Sequence, residues 1–238
     1  MDTNKLLIIT SSVFVSSPFT KVIDSSIREK QYVDSILYYL NNSNIKQIIV
    51  CDNSGFDYSN YNFETIALLK HKNIEILTFK GEFEAISKFG KGFGEGEIIK
   101  YVLNNSNLIQ NSTAYFKVTG RIIVKNINKI IKFTGTNQNY FNLIQTKPTL
   151  LENRVDTRLY YCQKSTYINS LYNSYKDVND PNGYYLEHAF YAALKRDKVS
   201  YTDFKIIPDF RGVSGSTGIS YNEPFLKLII KQFLKKFK

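Results

Sequence analysis

The strongest constraint on the fold is a series of short, unbroken apolar runs that end in small polar residues and alternate with helical segments. Lys5 to Thr10 (KLLIIT) has the length and make-up of a strand buried on both faces, Gln47 to Cys51 (QIIVC) reads as a second buried strand, and Ile74 to Phe79 (IEILTF) as a third strand. Between the first two, Ser25 to Leu40 sets Ile27, Val33, Ile36, Leu37 and Leu40 at helical spacing. Phe63 to Lys70 reads as a second helix before the third run. Such alternation predicts an α/β fold with a mainly parallel sheet, because each crossover must cover the sheet before the next strand enters. Open sheets of this kind bind ligands at the carboxyl ends of their strands. Those ends are Thr10 and Ser11 after the first run, and Asp52 and Asn53 after the second.

Further along, the glycine-alternating stretch Gly90 to Gly96 (GKGFGEG) runs into a helical segment, Glu97 to Asn104. Ala114 to Val118 is a fourth strand, and Tyr140 to Gln145 and Arg158 to Cys162 read as two more. Thr166 to Tyr175 and Tyr184 to Lys195 are helical, and a last strand is expected near Phe204 to Ile207. No internal repeat is present, and no composition shift marks a linker before residue 219. Residues 1–218 are therefore expected to form one domain, and 219–238 a separate tail.

This order of elements resembles the nucleotide-sugar-binding fold of GT-A glycosyltransferases, over roughly residues 5–218. In that superfamily the segment after the fourth strand usually carries Asp-x-Asp, which holds a divalent metal on the donor diphosphate. Here the matching residues are Lys117, Val118 and Thr119, followed by Gly120 and Arg121. Without carboxylates the position offers a hard cation no charged oxygen ligands, so the resemblance implies an enzyme with no metal or other cofactor. Lys117 and Arg121 are then expected to neutralise the diphosphate themselves. Together with Gly90 to Glu97, this Lys-x-Thr-Gly-Arg pattern is similar to a group of bacterial polysaccharide and lipooligosaccharide biosynthesis transferases.

Each remaining candidate has a plainer reading beside it. Asp52 can accept hydrogen bonds from a nucleobase imide or ribose hydroxyls, although Asp52-Asn53-Ser54-Gly55 is also good turn chemistry. Lys91 and Glu95, among the glycines, point to an anion-facing helix entry or to close helix packing. Glu187 and His188 lie on an aromatic-rich helix and supply the acid/base chemistry an acceptor hydroxyl requires; the alternative is a satisfied, half-buried pair. Asp156 and Arg158 either bind acceptor hydroxyls or pair with each other. Arg211, Ser214, Ser216 and Thr217 lie in a flexible RGVSGSTG segment, which suits a loop over the diphosphate or a simple linker.

The tail is amphipathic. From Pro224 onward, Phe225, Leu226, Ile229, Ile230, Phe233, Leu234 and Phe237 share one half of a helical wheel, with most of the lysines opposite. Such a helix suits an anionic membrane surface, with a helix docked on the protein's own core as the alternative. The two cysteines are too few for a disulfide framework, and the apolar runs are too short to cross a bilayer. The expected setting is the cytoplasmic face of a membrane. The expected partners are a nucleotide-sugar donor and a lipid-linked glycan acceptor. A net charge of +10 with 18 Tyr and 17 Phe also fits a nucleic-acid binder, but no binding motif accompanies it, so no nucleic-acid partner is expected. A catalytically inactive scaffold of the same fold is the third reading.

Overall fold

The computed structural model describes residues 5–15, 20–147, 150–215 and 217–235. Its strands are β1 (Leu6–Ser11), β2 (Gln47–Asp52), β3 (Asn73–Thr78), β4 (Ala114–Thr119), β5 (Ile122–Val124), β6 (Asn139–Tyr140), β7 (Leu143–Lys147), β8 (Leu150–Val155), β9 (Leu159–Gln163), β10 (Tyr201–Thr202) and β11 (Phe210–Gly212). The helices are α1 (Ser25–Asn42), α2 (Phe63–Leu69), α3 (Phe83–Phe89), α4 (Lys91–Asn105), α5 (Asn107–Gln110), α6 (Ile127–Phe133), α7 (Lys164–Thr166), α8 (Leu186–Arg196) and α9 (Phe225–Lys235). Seven strands form one sheet in the order β10-β6-β9-β4-β1-β2-β3. β1 pairs in parallel with both β2 and β4, and β9 alone runs against its neighbours. β5 with β11, and β7 with β8, make two small antiparallel pairs beside it.

All six residues of β1 are buried. Because strand side chains alternate between faces, Leu6 and Ile8 join Ile99, Val102 and Phe190 on one side of the sheet. Leu7 and Ile9 join Ile36, Tyr39 and Ile130 on the other. Two helical layers thus cover one sheet, and truncating Ile8 to Ala is expected to cost about 2–5 kcal/mol.

α1 starts at Asp24, whose carboxylate accepts the Ser26 and Ile27 N–H groups at 2.9 and 3.1 Å. At its far end the Lys72 ammonium donates to the carbonyls of Ser43 and Ile45 at 2.5 and 2.6 Å. That charge closes the helix C-terminus, where the dipole favours a cation.

Three expectations need correction. Gly92, Gly94 and Gly96 of GKGFGEG lie inside α4, which begins at Lys91, with Gly90 just before its first turn. They are there because neighbours crowd the helix: a Cβ at Gly96 would collide with Tyr175, and one at Gly94 would sit 2.9 Å from Asn53 Nδ2. The run from Tyr140 to Gln145 is broken, because Asn142 leaves the sheet to accept Asp156 N–H on its carbonyl and Phe204 N–H on its side chain. Phe204 to Ile207 is not a strand; β10 lies just before it and β11 follows Pro208.

Candidate active site

A cavity of about 100 Å³ opens at the carboxyl ends of β1 and β4. It is lined by Thr10, Ser11, Asn53, Lys91, Glu95, Thr119 and Arg121, which the sequence had brought forward, and also by Arg28, Tyr32 and Gly215. Two arginines dominate it. The Arg28 guanidinium donates to the Val13 and Val22 carbonyls at 3.1 Å each, and to the Ser12 carbonyl. Arg121 donates to the neutral Gln31 side chain at 3.0 Å. Both guanidiniums lie over the Tyr32 ring, 5.7 and 6.0 Å from its centroid. They are 4% and 7% exposed, and neither forms an ion pair among the described residues.

Arginine keeps its proton in proteins, so two positive charges converge here; the carboxylate that lines the cavity, Glu95, pairs with Lys117 and not with either arginine. Burial depresses the Arg28 pKa; Tyr32 opposes this and the Arg121 charge adds to it. Across the cavity Asn53 donates its Nδ2 to the Gly94 carbonyl at 3.2 Å, while its Oδ1 is buried without a partner. An unsatisfied buried acceptor costs about 1–3 kcal/mol, and this one belongs to a residue that lines the cavity.

Asp52 does not reach the cavity. Its carboxylate is fully buried and accepts from Ser11 Oγ at 2.7 Å, Val13 N at 3.1 Å, and Ser54 N and Oγ at 2.7 and 2.6 Å. It builds the turn, while its neighbour Asn53 lines the cavity.

Lys117 is also corrected: it is completely buried, and so cannot touch a diphosphate in the cavity. Its ammonium donates to Thr119 Oγ1 at 3.0 Å and to the Thr157 carbonyl at 2.7 Å, and it pairs with the Glu95 carboxylate. Burial pushes it down to about 7, against the pull of Glu187 and Asp156. Lys117 therefore sits beneath the cavity as the cation around which acidic groups are arranged.

Behind it, Glu187 Oε1 accepts from Thr157 Oγ1 at 2.9 Å. His188 Nδ1 accepts the Tyr185 N–H at 3.0 Å, which caps α8 and fixes that nitrogen as an acceptor. Asp156 and Arg158 pair with each other, at 2.9 and 2.7 Å, and the Arg158 guanidinium also lies over Phe210 and Tyr221 at 4.3 and 5.0 Å. They bind the β11 segment to the body rather than facing open space.

Among the described residues of the RGVSGSTG segment only Gly215 lines the cavity, where a Cβ would collide with Arg121. Arg211 pairs with Asp209 at 3.0 Å. Ser214 and Thr217 hydroxyls serve their own turn, accepting the Thr217 and Ile219 N–H groups at 3.2 and 3.3 Å. Ser216 lies outside the described residues.

Two important groups escaped the sequence reading. Arg28 falls on the stripe Arg28, Tyr32, Ile36, Tyr39 of α1, all buried; a charge on an apolar stripe was the available signal. Asp180 accepts the backbone N–H groups of Lys91 and Gly92, so a carboxylate already caps α4 where an anion was expected. Gly90, at φ 108°, leaves room for it. Burial raises the Asp180 pKa, and the Lys91 charge opposes that rise.

No protein-family model matches the chain, and no curated protein matches it. Among solved structures, apo glycosyltransferase GlyE from Streptococcus pneumoniae is similar over 84% of this chain, at TM-score 0.50 and 10% identity. This chain spans 45% of the length of that GlyE chain. A cytidylyltransferase from Leptospira borgpetersenii aligns over 98% of this chain and 94% of its own, at TM-score 0.42 and 11% identity. A 4-diphosphocytidyl-2C-methyl-D-erythritol synthase from Anaerococcus prevotii aligns over 98% and 97%, at TM-score 0.45 and 10% identity. The likeness is one of fold: a GT-A-like α/β architecture.

Proposed function

We propose that the protein is a glycosyltransferase that moves a sugar from a nucleoside-diphosphate donor to a lipid-linked glycan, in bacterial surface polysaccharide or lipooligosaccharide synthesis. The observation that carries this reading is the pair of buried guanidiniums, Arg28 and Arg121, converging on a strand-end cavity with no ion-pair partner among the described residues. Bidentate guanidinium contacts suit a diphosphate, and the unpartnered Asn53 Oδ1 suits a donor group on the base or ribose.

In this reading the acceptor oxygen bonds to the anomeric carbon as the sugar–phosphate bond breaks. The acceptor proton passes to Glu95, the carboxylate that lines the cavity, and the diphosphate charge is taken up by Arg28, Arg121 and Lys91. Lys117 is a positioning residue that holds Glu95 from below. The base role thus moves from Glu187 and His188 to Glu95. Charge neutralisation by guanidinium in place of carboxylate-bound metal makes the reaction metal-independent in this proposal.

α9 supports a membrane-associated acceptor. Gln232 fastens it to the body, accepting the Ile207 N–H and donating to the Lys205 carbonyl, both at 2.8 Å. Leu226, Ile229, Ile230 and Phe233 face outward, 47–69% exposed. No helix among the described residues is long and apolar enough to cross a membrane, so association would be interfacial, at the cytoplasmic face.

A thermal-shift panel of UDP-, GDP-, CMP- and dTDP-sugars with and without EDTA tests the donor site, since a ligand that binds the folded state stabilises it. Stabilisation by one nucleotide class, unchanged by EDTA and lost in Arg121→Ala, is expected; no shift with any of them overturns the reading. Sedimentation with phosphatidylglycerol vesicles tests α9, and Ile230→Ser with Phe233→Ser is expected to abolish it.

A further inference from the structure

A second cavity, about 400 Å³ and so larger than the first, opens elsewhere on the molecule. Its walls are the residues entering β6, the start of the helical segment after β9, and the residues entering β10. β6 and β10 run parallel to β4, so these walls stand at the amino ends of the parallel strands. The arginine-lined cavity stands at the carboxyl ends. The two are on opposite edges of one sheet, and neither can be a subsite of the other.

The chemistry of the lining is unusual for this chain. Charged residues make up 22% of the sequence, so eleven lining positions drawn at random would include two or three of them; here there are none. Nearly all the lining side chains are amides or hydroxyls, with the Tyr201 ring among them. Five of these, on Asn137, Ser165, Asn169, Ser200 and Thr202, make no side-chain hydrogen bond among the described residues.

The walls are nevertheless fixed. Asn139, 7% exposed, accepts the Gln163 N–H at 2.9 Å and donates to Thr166 Oγ1 at 3.2 Å and the Ser200 carbonyl at 3.1 Å. One buried amide therefore ties all three walls together. A preformed site loses little entropy when a ligand arrives.

An anion would need a cation here, and an apolar ligand would need an apolar wall. Amides and hydroxyls each offer both donors and acceptors, which matches a ligand covered in groups that do the same. We infer that this cleft is a second binding site, for a neutral oligosaccharide, separate from the site of chemistry. The inference goes beyond the transferase reading and does not depend on it.

Saturation-transfer NMR on the full chain tests it, with maltotriose, cellotriose and chitotriose at about 5 mM, a concentration that fills most of a site with a Kd of 1 mM. Signal from at least one trisaccharide is expected, falling tenfold or more in both Asn169→Lys and Ser200→Lys, whose side chains are at the cleft surface. The thermal shift given by nucleotide sugars is expected to stay as in the parent. No signal from any of the three, or a signal that both lysine variants leave intact, overturns the inference. So does a signal lost in Arg121→Ala instead, or an equal one from a neutral hexapeptide. Loss of every nucleotide shift with trisaccharide binding retained would break the transferase reading and leave this one standing.

Discussion

The two edges of the central sheet are built from the same kind of short strand end, yet they present opposite chemistry. At the carboxyl edge, Arg28 and Arg121 are buried and neither is ion-paired among the described residues, while Glu95 in the cavity wall pairs with Lys117 below it. At the amino edge, by the β6 and β10 ends, the lining holds no charge at all. Strand geometry supplies an edge; the side chains on it decide whether it calls for an anion or for a neutral polar molecule. Buried cations that are hydrogen-bonded but not ion-paired are costly to keep, and the carboxyl edge marks itself by that charge. The amino edge marks itself by unused hydrogen-bonding groups.

Substitutions can separate the two edges. The largest effect is expected from Glu95→Gln, which should lower kcat by about 10²–10⁴, the usual contribution of a general base. Trisaccharide binding at the amino edge should be unchanged, and steady-state kinetics beside NMR checks both. Arg121→Ala should weaken nucleotide-sugar affinity by about 100-fold, since hydrogen bonds to charged groups contribute about 1.5–3 kcal/mol each; titration calorimetry reads it. At the other edge, Asn139→Ala should lower stability by about 2–3 kcal/mol, because it leaves the buried Gln163 N–H without its acceptor. It should abolish trisaccharide binding while nucleotide binding persists in the folded fraction.

The smallest effect concerns pH. The Lys117 ammonium is pushed by burial down to about 7 from an ordinary 10.5, so the unfolded chain binds more protons than the native one above pH 7. Stability should therefore rise from pH 7 to 9. Lys72, lowered to about 8 by burial, adds in the same direction. In Lys117→Met the rise should shrink to the Lys72 share, as followed by urea unfolding across the window.

Much of the fold was legible in the sequence because it rested on periodicity. The runs at Leu6, Gln47, Ile74 and Ala114 became the four adjacent parallel strands; β1 and β2 are unbroken apolar stretches and lie buried, whereas β3, which carries Glu75, is the half-buried edge. The glycines before Glu97 misled, because alternating glycine looks like a loop, whereas here each small residue admits a neighbour such as Tyr175 or Asn53. The break after Tyr140 was hidden for a related reason: it depends on hydrogen bonds from Asn142 to residues far along the chain. Within the candidate site, position was readable and orientation was not. Asp52 and Asn53 are adjacent, but one turns inward to build its loop while the other lines the cavity. Lys117 and Arg121 are four residues apart, and one lies under the floor and the other at the wall.

The attachment of α9 through Gln232 has one more consequence. A helix joined only by a flexible linker would tumble on its own and tell the body nothing about where it had landed. Two hydrogen bonds from one side chain to the backbone at 205 and 207 tie α9 to the body. Whatever plane its outward side chains settle on, the tilt of the sheet above that plane, and the height of the arginine cavity over it, are set in the same event.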